Sequence, residues 1–144
     1  MKVLYISGPF STRAGDSDPY HSFEENIIRA SKHALEAAKK GWAPFTPHKN
    51  TAGFQHVPEV SSRFWMEVCL EFVRRSDAIL FLPGWSVCKG CREEYNLAAS
   101  LHLPLYFAGK TPSLYVGEPL PLASEMAGCE GEEIPPIEKE VTTV

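Results

Sequence analysis

The sequence lacks any hydrophobic run long enough to cross a membrane. The apolar part of its first segment, Met1 to Gly8, is also much shorter than the core of a signal peptide. We therefore expect a cytoplasmic protein that has no membrane partner.

Runs of basic residues are missing as well. The chain has 14 Lys and Arg against 18 Asp and Glu, which gives a formal net charge of −4. Sequence-independent binding of a nucleic-acid backbone requires clustered cations that neutralise phosphates. Polymeric nucleic acid is therefore not an expected partner, whereas a small nucleotide needs only a local site.

A cysteine-dense disulfide framework is also lacking, since the chain has four cysteines: Cys69, Cys88, Cys91 and Cys129. Because no secretory signal precedes them, we interpret them as reduced thiols and not as two disulfides. Cys88 and Cys91 have the C-x-x-C spacing of metal and redox sites, but a single pair without a second one is a weak signal. We predict neither a metal nor a cofactor, and zinc or redox chemistry is a minor alternative.

What the chain does contain is typical of one globular domain. Its 144 residues are 44% hydrophobic and 22% charged, which is enough to build a core and too short for two ordinary domains. We assign residues 1–110 to one folded domain. Residues 111–144, rich in proline and glutamate, form an extension that packs on that domain or trails from it as a loose tail, with one short helix near 122–126.

Strand-like and helix-like segments alternate along residues 1–110. Apolar, β-rich runs predict strands at 2–7, 42–46, 78–82 and 105–107, and residues at helical spacing predict helices at 22–41, 61–75 and 91–101. Residues 47–50 are predicted to begin a loop. This order predicts an α/β fold with a parallel sheet of four to five strands in a three-layer sandwich.

Ligands of such folds bind beyond the carboxyl ends of the strands. Several candidate substrate-binding residues follow these ends: Ser7, Gly8, Pro9, His48, Gly84, Trp85, Cys88 and Gly90. For Trp85 and Phe54, a pocket or interface role and a simple packing role are both open.

Glu94 occupies an unusual place on its helix. At 100° per residue, Gly90, Cys91, Ala98 and Leu101 lie within about 60° of it, so it faces the sheet, whereas Glu93 faces the polar side. A buried carboxylate is costly unless it is paired or functional. Its place near the helix start favours the ionised form. The alternative is a structural cap or ion pair.

Cys69 also faces inward, because Trp65, Met66, Phe72 and Val73 lie close to it around the second predicted helix. A buried cysteine is most often a small hydrophobic residue.

Several motifs together resemble the nucleoside 2-deoxyribosyltransferase-like superfamily, including its small bacterial and phage members and the deoxynucleoside 5′-monophosphate N-glycosidases. The resemblance covers about residues 2–107. It rests on Tyr5-Ile6-Ser7-Gly8-Pro9, Pro44-Phe45-Thr46-Pro47-His48, Ser76-Asp77-Ala78-Ile79-Leu80-Phe81-Leu82-Pro83-Gly84-Trp85 and Cys88-Lys89-Gly90-Cys91-Arg92-Glu93-Glu94.

The resemblance implies a flavodoxin-like (Rossmann-like) fold and a nucleophilic glutamate four residues after a glycine, which matches Glu94 and Gly90. The implied reaction is cleavage or transfer of the N-glycosidic bond of a nucleoside or nucleoside 5′-monophosphate through a glycosyl ester. Tyr5 matches a tyrosine close to the nucleophile, and His48 matches a histidine of the second loop. The resemblance also implies a homodimer or a larger homo-oligomer.

The chain departs from the superfamily pattern at three positions. Cys69 stands where relatives have an aspartate that orients or protonates the leaving group. Cys88 replaces a serine or an aspartate, and Ser11 replaces a phosphate-binding arginine for which Arg13 is the nearest substitute. An alternative function is therefore a nucleotide-binding or sensing module that has the fold but no activity.

Overall fold

The computed structural model describes residues 1–10, 23–51 and 57–126. Its strands are β1 (Val3–Ser7), β2 (Ala43–Phe45), β3 (Ala78–Phe81) and β4 (Leu105–Phe107), and its helices are α1 (Phe23–Lys39), α2 (Pro47–Asn50), α3 (Ser62–Arg74) and α4 (Lys89–Ser100). The four strands form one sheet in the order β2-β1-β3-β4, and all of its pairs are parallel. The predicted α/β sandwich with a flavodoxin-like parallel sheet is confirmed.

Alternating side chains of β1 divide the core into two clusters. Leu4 and Ile6 pack with the alanines of α1 on one face of the sheet. Tyr5 packs on the opposite face with Val73 of α3 and Ala98 of α4. Because the side chains of a strand alternate between faces, Ser7 lies on the same side as Tyr5, beneath α4. This second face carries the candidate site.

The segment after β2 differs from the predicted loop. Residues Pro47–Asn50 form the short helix α2, with Thr46 in an extended conformation before it and proline as its first residue. Proline suits that position, because its fixed φ fits a helix and its missing N–H has no helical acceptor there. As a result His48 is buried, with 2% of its surface exposed, although a loop histidine would be expected to face solvent.

The chain after β4 packs against the domain as far as residue 126, and residues 127–144 of the predicted extension lie outside the described residues. Leu120 and Ala123 are buried in the α1-side core, and the predicted short helix is a 3₁₀ turn at Ala123–Glu125. The Trp42 ring nitrogen donates to the Pro121 carbonyl at 2.9 Å, and the Lys40 ammonium donates to the Leu120 carbonyl at 2.8 Å. Residues 110–126 are therefore part of the domain.

In the described part of the chain, the structure has no helix that is long and apolar enough to span a bilayer.

Candidate active site

A cavity of about 440 Å³ lies beside the carboxyl end of β1, between α2, α3 and the start of α4. Its described lining includes seven of the predicted site residues: Tyr5, Gly8, His48, Cys69, Cys88, Gly90 and Glu94. These residues lie close together because, in a parallel sheet, the ends of the strands and the starts of the helices that follow them converge at one edge of the sheet.

Glu94 is buried at the base of this cavity. Only 6% of its surface is exposed. The preceding residue on the same helix, Glu93, instead forms an ion pair with Arg63. The Ser7 hydroxyl donates to Glu94 Oε1 at 3.1 Å. Glu94 Oε2 is buried and has no hydrogen-bond partner among the described residues. One oxygen of the carboxyl group is thus anchored, and the other is left for a ligand.

Burial raises the pKa of Glu94 from 4.5 to about 7, whereas the hydroxyl groups of Tyr5 and Ser7 act in the opposite direction. The sequence predicted that the helix start would favour ionisation. Loss of hydration acts in the opposite direction, because a buried carboxyl group favours its neutral form. Near neutral pH the neutral and ionised forms coexist.

Tyr5 and Cys69 lie next to this carboxyl group. The Tyr5 hydroxyl is fully buried without a hydrogen bond of good geometry to any described residue, and burial followed by the charge of Glu94 raises its pKa well above 10. Burial and the charge of Glu94 likewise raise the pKa of the half-buried Cys69 to about 11. Both groups are therefore neutral at physiological pH and carry a proton.

His48 is fixed by the end of β1. Its Nε2 lies 3.1 Å from the carbonyl oxygens of both Gly8 and Pro9, and carbonyls only accept, so Nε2 carries the hydrogen. Burial lowers the pKa of His48, although the two carbonyls oppose this effect. The neutral ring then has a bare Nδ1, which is buried and has no described partner. Nδ1 can accept a hydrogen bond from a ligand hydroxyl or N–H group.

Four other predicted residues are not among the described lining of the cavity. The Ser7 hydroxyl donates a hydrogen bond to Glu94, and the Pro9 carbonyl accepts one from His48. Gly84 has a φ of 91°, which an L-residue rarely adopts, and it lies against the ring of Pro9. The ring of Trp85 stacks on Tyr95 at 5.1 Å between centroids and packs against the core cluster on the Tyr5 side of the sheet. Arg13, Ser11 and Phe54 lie outside the described residues.

The apolar walls of the cavity were not predicted from the sequence. They come from Phe10, Phe23, Val57, Val60, Trp65 and Met66. Helical spacing assigned Trp65 and Met66 to the core, and periodicity alone does not distinguish a side chain facing a core from one facing a cavity in that core. Among the described residues, no group of three His, Cys, Asp or Glu side chains is placed to hold a metal ion.

The chain belongs to the protein family described as domain of unknown function DUF4406, which matches residues 2–107. No curated protein matches the chain. The family description carries no activity, so the function is argued from the site.

Proposed function

We propose that this member of the DUF4406 family cleaves or transfers the N-glycosidic bond of a nucleoside or nucleoside 5′-monophosphate, with Glu94 as the nucleophile. The observation that carries the proposal is the buried Glu94 carboxyl group, whose Oε2 has no described partner and which lines a cavity of about 440 Å³. The cavity volume is within the usual range for small-molecule sites. The resemblance of the sequence motifs to the nucleoside 2-deoxyribosyltransferase-like superfamily supports the same residue.

In the first step, Glu94 Oε2 attacks the anomeric carbon of the sugar and forms an ester. The bond from that carbon to the base nitrogen breaks, and the base leaves with the electron pair and takes up a proton. The neighbouring neutral donors are the Cys69 thiol and the Tyr5 hydroxyl. The Ser7 hydroxyl holds the other carboxylate oxygen in place during the attack.

In the second step, water or a second base attacks the same carbon, loses a proton and releases the Glu94 carboxylate. Water gives hydrolysis and a second base gives transfer. Only the ionised form of Glu94 is a nucleophile, so base release should increase as the pH rises through about 7.

A specific observation favours the alternative function, a binding or sensing module. Glu94 is the only carboxylic acid among the described residues that line the cavity, and the position of the superfamily aspartate holds the neutral thiol of Cys69. A thiol with a pKa of about 11 is a poor proton donor to a leaving base compared with a carboxylic acid. The apolar walls of the cavity and the free Nδ1 of His48 suit the binding of a small molecule in an enzyme and in a binding module alike.

Base release from a panel of nucleosides and nucleoside monophosphates distinguishes the two functions. We expect wild-type protein to release base from at least one substrate, and Glu94→Ala to lower that rate at least about 10³-fold. Glu93→Ala is the matched control, because Glu93 precedes Glu94 on α4 but pairs with Arg63 at the surface. If wild type binds a nucleotide tightly but releases no base, the protein is a binding module; if an added second base increases exchange, it is a transferase.

We also propose that the protein acts in the cytoplasm as a homo-oligomer. Phe64 is 53% exposed on α3, next to the cavity residue Trp65, and Val57 at the cavity is 37% exposed. Exposed apolar side chains beside a cavity suit coverage by a second copy. Light scattering should give at least a dimer for wild type and a smaller species for Phe64→Ser, and a wild-type monomer would contradict the proposal.

A further inference from the structure

Two thiols meet at the N-terminal end of α4, in the wall of the cavity. Cys88 is the capping residue, with an extended backbone (φ −96°, ψ 121°), and Cys91 is the third residue of the helix. The two residues are three positions apart at the start of the helix. A hydrogen bond with the Cys88 side chain is the largest cause of the raised pKa of Cys91, so the two thiols lie close together.

The two sulfur atoms differ in their access to the cavity. Cys88 is half-buried, whereas Cys91 is 1% exposed. Both residues line the cavity. A reagent in the cavity therefore meets Cys88 first, and Cys91 lies behind it.

A buried carboxyl group lies on the same face, one turn further along the helix. Glu94 is close enough to Cys91 for its charge to raise the pKa of that thiol, although the hydrogen bond to Cys88 and burial contribute more. The pKa of Glu94 itself is about 7, so its carboxylate can accept a proton and release it again near neutral pH. The proposed glycosidic reaction uses neither Cys88 nor Cys91.

We propose that Cys88 and Cys91 form a reversible disulfide by exchange with a small-molecule disulfide that enters the cavity, with Glu94 as the base that deprotonates Cys91. This inference does not depend on the proposed function, because it requires only the thiol pair and the neighbouring carboxylate. It goes beyond the C-x-x-C spacing, which alone is a weak signal.

The exchange takes two steps. Cys88 loses its proton to solvent, and its thiolate attacks one sulfur of the incoming disulfide, whose S–S bond breaks; the first thiolate leaves and takes up a proton. Cys91 then gives its proton to Glu94 and attacks the Cys88 sulfur, which releases the second thiol after it takes up a proton. In sum, two protein thiols lose two electrons and two protons, and the small disulfide is reduced to two thiols.

The order of the two steps follows from the causes of the raised pKa of Cys91. The largest cause of its raised pKa is the hydrogen bond to Cys88, and the charge of Cys88 also contributes. A Cys88 sulfur in a mixed disulfide carries no negative charge, so that contribution is lost. Cys91 therefore becomes easier to deprotonate only after the first step has occurred.

The test uses the full chain with 2-hydroxyethyl disulfide, followed by peptide mapping by mass spectrometry that separates the peptides of Cys69 and Cys129. Wild type should lose two hydrogen atoms in the peptide that joins Cys88 and Cys91, and dithiothreitol should reverse the loss. Cys91→Ser should instead hold one mixed disulfide at Cys88. Cys69→Ser, which removes the third thiol of the cavity lining, should still form the disulfide between Cys88 and Cys91.

Glu94→Gln tests the base. It should leave the first step unchanged and slow the release of the second thiol about 100-fold, so the mixed disulfide at Cys88 accumulates. If Cys88 and Cys91 of folded wild type both stay reduced, or each carries a separate mixed disulfide, the thiol pair is not redox-active. If Glu94→Gln closes the disulfide at the wild-type rate, Glu94 is not the base. The wild-type experiment decides the main claim even if a cysteine variant fails to fold.

Discussion

At the scale of single residues, Glu94 should make the folded state less stable as the pH rises from about 4.5 to about 7. Its pKa is raised from 4.5 to about 7, so the folded state favours the protonated form; this stability is fully present below pH 4.5 and is lost as the pH rises through about 7. The shift corresponds to about 3 kcal/mol. Between pH 4 and pH 8, the free energy of unfolding of Glu94→Gln should gain about this amount relative to wild type, as measured by urea denaturation.

The measured quantity is the difference between variant and wild type at each pH, because burial lowers the pKa values of His33 and His48 and their effect on stability is common to both proteins. Glu93→Gln is the control, since its exposed ion pair with Arg63 contributes little. A Glu94→Gln variant that is equally destabilised at both pH values would show that the carboxylate is structural.

The Ser7 hydroxyl should lower the pKa of Glu94. This hydroxyl donates to Glu94 Oε1 at 3.1 Å and thereby lowers the pKa of the carboxyl group, against the larger effect of burial. Ser7→Ala should therefore raise that pKa further, as followed by carbon NMR titration of the Glu94 carboxyl. Ser31→Ala is the control, because the Ser31 hydroxyl binds the Ile27 carbonyl within α1. An unchanged Glu94 titration in Ser7→Ala would contradict this assignment.

At the scale of secondary-structure elements, the end of β1 has no room for a side chain at Gly8. A Cβ there would lie 3.0 Å from Cβ and Cδ1 of Leu82, which is buried. We expect Gly8→Ala to cost about 1–3 kcal/mol in denaturant unfolding. Gly90→Ala is the matched comparison: its Cβ would meet only the flexible sulfur of Met66 at 3.3 Å, and alanine favours the helix by about 1 kcal/mol. Equal losses in the two variants would contradict this account.

The elements also show how far the sequence could predict the structure. The hydrophobic spacing of long segments predicted α1, α3 and α4 and the inward direction of Glu94, because burial of one helix face produces a repeating pattern of apolar residues. The four residues of α2 are too few for such a pattern, so the burial of His48 was missed. Trp85 follows β3 like a site residue, yet it packs against Phe81 and Tyr95, a contact that forms only in three dimensions.

The electrostatics of the candidate site could be predicted only in part. The sequence placed Glu94 on the buried face, and the structure confirms that position. The raised pKa was not predicted, because it depends on how completely water is removed around the carboxyl group, and Ser7 reaches it from 87 positions away in the chain. Such long-range contacts have no local sequence signal.

At the scale of the whole molecule, the cooperative domain should extend beyond the residues that match the family. The match ends at residue 107, whereas Leu120 is only 3% exposed and belongs to the α1-side core. Leu120→Ala should cost about 2–4 kcal/mol and leave a single unfolding transition, measured by urea denaturation. Leu122→Ala, at a 47% exposed position, should change stability little. If Leu120→Ala leaves the free energy of unfolding unchanged, this segment is separate from the domain.

The most direct test of the central claim is to look for the sugar on Glu94. Wild-type protein is mixed with a substrate from which it releases base, quenched in acid during turnover, digested and examined by tandem mass spectrometry. The account predicts a sugar ester on the Glu94 carboxyl, present in Glu93→Ala and absent in Glu94→Gln. Base release with no ester on Glu94, or with the sugar on another side chain, would contradict it.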